Sequence, residues 1–284
     1  MKNFRIIPFK DPDYPELLRH IHKPPEALYL WGNLPTKRSI SIVGTRKSTL
    51  YGASQTRNIV RFLRDYPFQI ISGFADGIDL VAHHEALEQG LPTVAVLGHG
   101  FDHIPPRKFS TARKVIEQGG GFLSEYPPSM PGNKFQFPER NRIIAGLSKV
   151  TIVVEAPKSS GALITATLAL ENNREVFAIP GDTNRENSQG CNELIQQAKA
   201  TILLDPANLL HAYGLAPETA QPELFFNLPQ EQQDILKVLS PENPKSSNQI
   251  LAETNKNITE ILVNLTILES EKRIKRVPGG FVIF

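Results

Sequence analysis

SISIVGTRKSTLYG, residues 39–52, and FQIISGFADGIDLVAHH, residues 68–84, decide the fold between them. Each is a short run of apolar, mostly β-branched residues that stops at a glycine and passes within a few residues into a helical pattern. The unit repeats downstream as TVAVLG (93–98), GFLSE (121–125), KVTIVVEA (149–156), EVFAIPG (175–181) and ATILL (200–204), each followed by a segment of about helix length. This alternation predicts an α/β domain over residues 39–213, with a Rossmann-like, doubly wound, mostly parallel sheet covered by helices on both faces. Within it, Asp76 and Asp79 stand at the start of one helical pattern as expected caps, and Gly90 and Pro92 close it.

The flanks read differently. Residues 1–38 form a proline-rich lead-in with one short helical stretch, PELLRHI, and one short apolar run, ALYLWG, too little for a core of its own. A polar, proline-containing connector over 214–223 separates the central domain from residues 224–284. That last segment reads as three helices (EQQDILKVL, SNQILAET and NITEILVNLTILESE) and a hairpin turning at Pro278, Gly279 and Gly280, the outline of a small C-terminal winged-helix domain. Its cations Lys237, Lys245, Lys256, Lys272, Arg273, Lys275 and Arg276 are balanced by Glu231, Asp234, Glu242, Glu253, Glu260, Glu269 and Glu271. A neutral module is a poor duplex reader, so a packing or protein-contact role is expected for it.

Composition narrows the function classes. The net charge is +2, so a nucleic-acid site must gather its positive charge locally. The one cysteine, Cys191, fits a reducing compartment and reads as a small buried residue. Neither CxxC nor HExxH occurs, and no metal or cofactor is expected. With neither a signal peptide nor a long apolar run, the expectation is a cytoplasmic protein with no membrane contact.

The chemistry sits on the glycine-bearing loops. After the first strand, Gly44 lets the backbone approach an anion at a helix start, with Arg46 and Lys47 beside it. Ser72-Gly73 ends the neighbouring strand, so the two loops should lie side by side at the carboxyl edge of the sheet. Gly98, Ser159-Ser160-Gly161 and Pro180-Gly181 repeat the pattern, each of them individually more typical of a turn. The stretch from Lys134 to Arg142 interleaves aromatic and basic side chains just before IIAGL. Arg140 and Arg142 read as backbone-holding residues for a single strand, while Phe135 and Phe137 fit either base stacking or the core. The first loop lacks G-x-G-x-x-G and the second strand ends without a ribose-binding acid, which disfavours a dinucleotide; a P-loop is missing as well. No catalytic constellation emerges. His83 and His84 read as one packed and one solvated histidine, and Glu125 as a structural partner for an arginine or the backbone. A Rossmann-like nucleotide-binding sensor or nucleotide-processing enzyme stays open as the alternative.

Taken together, GTRKSTLYG, SGFADGIDLVAHHEAL, LSEYPP, FPERNRIIAGLS, SGALITATLAL and IPGDTNRENSQGCNELI resemble, in this order, the DprA or Smf family of DNA-processing proteins. The resemblance spans about residues 10–284. It implies a non-enzymatic protein that binds and protects incoming single-stranded DNA, loads the RecA recombinase during natural transformation, and forms a homodimer through its Rossmann-like domain. Carried over by position, the implied DNA contacts are Gly44, Thr45, Arg46, Ser72, Gly73, Phe137, Arg140, Asn141 and Arg142. Lys47 stands where an arginine is common in the family, which keeps the charge and loses the bidentate fork. Many members carry a further N-terminal helical domain; this chain begins in the linker that follows it and reads as a short form or a fragment.

Overall fold

The computed structural model describes residues 4–34, 38–215, 228–240, 243–254, 256–271 and 273–283, which fall into two compact units, 1–216 and 217–284. The predicted connector lies outside the described residues except for Gly214 and Leu215, as do the expected domain start at Leu224 and two of the charges, Glu242 and Lys272.

In the first unit, strands β1 (Arg5–Pro8), β2 (Ala27–Gly32), β3 (Ser39–Val43), β4 (Gln69–Ser72), β5 (Thr93–Leu97), β6 (Gly121–Ser124), β7 (Val150–Val153), β8 (Glu175–Ala178) and β9 (Thr201–Ile202) make one sheet. Its order is β1-β2-β6-β5-β4-β3-β7-β8-β9, and β3 through β9 run parallel throughout. The lead-in is thus part of the sheet. Its β1 and β2 pair antiparallel with each other, and β2 pairs antiparallel with β6. Ile7, Leu18, Leu28 and Leu30 from this segment are buried in the main core, which supplies the core the segment could not build alone.

The helices are α1 (Glu16–Arg19), α2 (Leu50–Leu63), α3 (Ile78–Glu88), α4 (Phe109–Glu117), α5 (Gln136–Gly146), α6 (Gly161–Glu171) and α7 (Glu186–Gln196). Strand β3 is buried on both faces, which explains its near-continuous apolar run. Ile40 and Ile42 pack under α2 and α3, whereas Val43 joins Ile143 of α5 and Ala166 of α6 on the other face. Each such fully buried aliphatic side chain contributes about 1.5–3 kcal/mol. The Ser41, Ser72, Thr93 and Ser124 hydroxyls inside the strands are hydrogen-bonded, whereas the buried Thr151 hydroxyl of β7 has no partner among the described atoms. Ser41 donates to the Ile144 carbonyl at 2.7 Å and accepts from Ser148, which ties α5 to the sheet.

Two expectations about α3 part ways here. Its C-terminus closes at Gly90, with the Leu91 amide returning to the Ala86 carbonyl. At its start, however, the helix is flanked by Gly77 without a side-chain cap, and neither Asp76 nor Asp79 caps it. Asp79 instead accepts from amides of the preceding turn, and Asp76 pairs with Arg107 and Lys108, as described below.

The second unit contains α8 (Gln230–Val238), α9 (Ser247–Thr254), α10 (Ile258–Ser270) and the antiparallel pair β10 (Ile274–Val277) and β11 (Gly280–Ile283), around a core that includes Ile235, Ile250, Leu265 and Phe281. Several of its cations are engaged internally, as in Lys245 with Glu253, Lys256 with Asp234 and Arg273 with Glu271. No helix among the described residues is long and apolar enough to cross a membrane.

His83 of α3 is fully buried, and His84 beside it is exposed. Thr93 donates its hydroxyl to the Ile70 carbonyl, so its oxygen receives a proton from His83 Nδ1 at 2.7 Å. Nε2 has no partner among the described atoms, and burial pushes the imidazole from 6.5 down to about 3. The stability contributed by this neutral histidine is complete above pH 6.5 and is lost as pH falls toward 3, because the unfolded chain takes up a proton that the folded chain refuses. Relative to His83→Gln, the wild type should therefore lose about 1.4 kcal/mol per pH unit on acidification within that window, measured by urea unfolding. Parallel stability curves for the two proteins would contradict a neutral buried His83.

Candidate nucleic-acid interface

Chain order runs outward from β3 through β4, β5 and β6, then crosses back to β7 on the other side of β3. That reversal opens a crevice beyond the carboxyl ends of β3 and β7, where open α/β sheets bind ligands. A cleft of about 710 Å³ occupies this place, lined by the loops after β3, β4, β6 and β7 together with α5 and the start of α6.

The β3–α2 loop carries the cations. Thr45 donates its amide to the Glu155 carbonyl at 2.7 Å, and its own carbonyl accepts from Ile78 at 3.2 Å. The Lys47 amide turns back to the Thr45 hydroxyl. Arg46 and Lys47 stay exposed between these fixed points.

Helix α5 supplies the facing wall. Asn133 accepts from the amides of Phe135 and Gln136, and Gln136 accepts from Asn133, so this polar pair starts the helix earlier than the IIAGL pattern suggested. The aromatic and basic stretch is consequently helical, and helical phase sorts it. Phe137, Arg140, Asn141 and Ile144 recur at three- and four-residue spacing and line the cleft. Arg142 falls outside that stripe and pairs with Glu125 at 2.6 Å, the arginine partnership expected for that glutamate. Phe137 is half-buried, with the Arg46 guanidinium 5.5 Å from its ring centre and His99 packed edge-on against it. Phe135 is 72% exposed and lies beneath the Lys134 ammonium.

Under the cleft, the β4–α3 turn is held by buried charge. Asp79 accepts from the amides of Gly73 at 3.1 Å and Ala75 at 3.4 Å. Arg140, 4% exposed, donates to the carbonyl of Gly73 at 2.8 Å and to that of Val96. Lys108 donates to the Phe74 carbonyl at 2.7 Å and pairs with Asp76, which also holds Arg107. These bonds secure Phe74 at φ 57°, an unusual backbone angle for a bulky residue. Gly73 is required by proximity, since a Cβ there would lie 2.7 Å from Asp79 Oδ2 and 2.8 Å from Arg140. Burial raises the Asp79 pKa against the pull of Arg140, and burial pushes Arg140 down to about 10, with Asp79 opposing the shift; the guanidinium remains charged at neutral pH.

The fourth wall is the N-terminus of α6. Ser160 caps it by accepting from Ala162, and Asn141 donates to the Gly161 carbonyl at 3.2 Å. The helix adds the positive end of its dipole to the cations opposite.

Of the residues singled out in the sequence, Gly44, Thr45, Arg46, Lys47, Phe137, Arg140 and Asn141 meet in this cleft. Ser72, Gly73 and Arg142 do not line it. Ser72 is buried and donates to the Ile42 carbonyl, and Gly73 belongs to the turn beneath. The supporting role of Lys108 has no signal in the local sequence, whereas the wall residue Asn133 carries one in the Asn133-x-x-Gln136 spacing.

A family model described as DNA recombination-mediator protein A matches residues 5–214. The chain belongs to that family. Protein Smf of Escherichia coli K12 is 37% identical, covering 99% of this chain and 77% of its own length. Protein Smf of Synechocystis is 41% identical over 82% of this chain, which spans 60% of that relative. DNA processing protein A from Streptococcus pneumoniae superposes with a TM-score of 0.67 at 37% identity, covering 74% of each chain. The Helicobacter pylori DNA processing protein A, whose structure concerns a single-stranded DNA binding mode, gives 0.65 at 28% identity over 75% of this chain and 98% of its own.

The two arginines of the cleft should behave differently. Arg46→Ala should leave stability within about 0.5 kcal/mol, because the side chain is exposed. Arg140→Ala strips Asp79 of its counter-charge and two carbonyls of their donor, and should cost about 3 kcal/mol or more. Thermal and urea unfolding check both; equal stability of the two variants would contradict the buried role of Arg140.

Proposed function

We propose that this recombination-mediator family member binds single-stranded DNA in the switch-point cleft and acts by binding rather than by catalysis. The observation that carries this reading is the juxtaposition of Arg46 with Phe137. A backbone-holding cation lies over a ring with which an unpaired base can stack, between Lys47 on one wall and the α6 N-terminus on the other. A paired duplex keeps its base faces stacked internally and cannot use the ring. The single-stranded DNA binding mode of the similar Helicobacter pylori protein supports the choice of strand.

Two potential reactive groups are out of play. Cys191 is fully buried with its thiol pushed up to about 12, and His83 is held neutral in the core. We further propose, on the family resemblance, that the chain works in the cytoplasm, protects incoming strands and loads RecA during natural transformation as a homodimer. The C-terminal unit then serves as a winged-helix module for protein contact, consistent with its internally paired charges.

Fluorescence anisotropy of labelled oligothymidylate and of a blunt duplex tests the binding claim. Single-strand affinity should exceed duplex affinity by about tenfold or more, fall log-linearly with salt and change little with base sequence. Arg46→Ala should lower it and reduce the salt slope by about one. Equal affinity for the two DNAs would sink the reading.

A further inference from the structure

Glu155 follows β7 and is 3% exposed, yet it belongs to no cleft wall. Its carboxylate reaches the start of α2. Oε2 accepts from the Thr49 amide at 2.9 Å, and Oε1 accepts from the Thr49 hydroxyl. The Thr49 hydroxyl oxygen in turn caps α2 by accepting from the Gly52 amide at 3.2 Å. The backbone carbonyl of Glu155 meanwhile takes the Thr45 amide. One residue from the neighbouring strand therefore grips the β3–α2 loop at both of its ends, with Arg46 and Lys47 presented between the two grips.

A strand-to-helix turn of this kind is where doubly wound folds seat a ligand phosphate, because the first helical amides point outward there and the dipole favours an anion. In this chain an internal carboxylate stands at that place, taking the amide and hydroxyl of the N-cap residue Thr49. Gly52 makes the approach possible: a Cβ on it would lie 2.2 Å from Glu155 Oε2. The second glycine of GTRKSTLYG is thereby explained by the carboxylate behind it rather than by a ligand in front of it.

We propose that Glu155 is a positioning residue for DNA binding, a built-in counter-anion at the α2 N-terminus that closes this turn to a ligand phosphate and fixes the loop so that Arg46 faces Phe137. This rests on the proposal that the cleft binds a single strand. DNA phosphates are then met by the loop's outward cations and not by the α2 amides.

The test is a Glu155→Ala variant titrated with oligothymidylate in formate and in chloride at equal ionic strength. Affinity should fall about tenfold in chloride at unchanged binding stoichiometry, as expected for losing hydrogen bonds to a charged group. Formate should recover severalfold of it and raise the Tm of the variant, with no effect on the wild type. A folding defect alone would reduce the stoichiometry and leave Kd unmoved. Gly52→Ala should lower Tm in the wild type but raise it in the Glu155→Ala background, where the carboxylate no longer clashes and alanine is the better helix former. Wild-type affinity in Glu155→Ala, or equal behaviour in formate and chloride, would overturn the proposal. Should the alanine variant not fold, Glu155→Gln removes the negative charge and leaves one acceptor oxygen where two serve the Thr49 amide and hydroxyl, and must weaken binding in the same direction; unchanged Kd there overturns it equally. Failure of the wild type to prefer single strands would instead defeat the binding reading, and the formate-dependent Tm would still report the occupied seat.

Discussion

The Arg140 guanidinium is the interaction on which the rest of the site depends. Burying it is costly, and its neighbours offset part of that cost: the Gly73 and Val96 carbonyls accept from Nη1, the Asn141 side chain accepts from Nε, and Asp79 supplies the opposing charge. Through these partners one side chain on α5 joins the turn after β4 to the end of β5. The turn then supports the neighbouring loop, since the Ile78 amide at the head of α3 holds the Thr45 carbonyl. Removing the guanidinium would loosen the floor on which Arg46 stands, even though Arg140 is too buried to serve chiefly as a surface contact.

The cleft thus has two tiers of charge. Below are Asp79, Arg140, Lys108 and Glu155, buried or nearly so and committed to backbone partners. Above are Arg46, Lys47 and Lys134, all exposed, with Arg46 and Lys134 lying over the rings of Phe137 and Phe135. Locked charges set geometry, and exposed ones can exchange counterions for phosphates, which is how polyanion binding gains free energy. A net charge of only +2 is compatible with such binding because the positive potential is concentrated at one sheet edge.

Much of this was legible in the sequence. The alternation of β-branched runs with helical segments specified the doubly wound sheet, and adjacency of β3 and β4 put the two glycine loops side by side as expected. Local pattern was insufficient where tertiary partners decide. Phe137, Arg140 and Arg142 are close in sequence, but helical phase sends the first two to the cleft and the third to Glu125, and the helix start that sets the phase depends on Asn133 and Gln136. Asp76 and Asp79 look like caps until Lys108 and Arg140, far away in the chain, are brought beside them. The lead-in reads as too short for a core of its own because its core is shared: β2 pairs with β6, a partner no local reading identifies, and β1 pairs with β2.

Photo-crosslinking of an oligothymidylate carrying iododeoxyuridine, followed by peptide mapping, tests the account most directly. It predicts that the adduct maps to the α5 peptide containing Phe137 and is lost in Phe137→Ala. Adducts confined to residues 228–283, unchanged by that substitution, would contradict it.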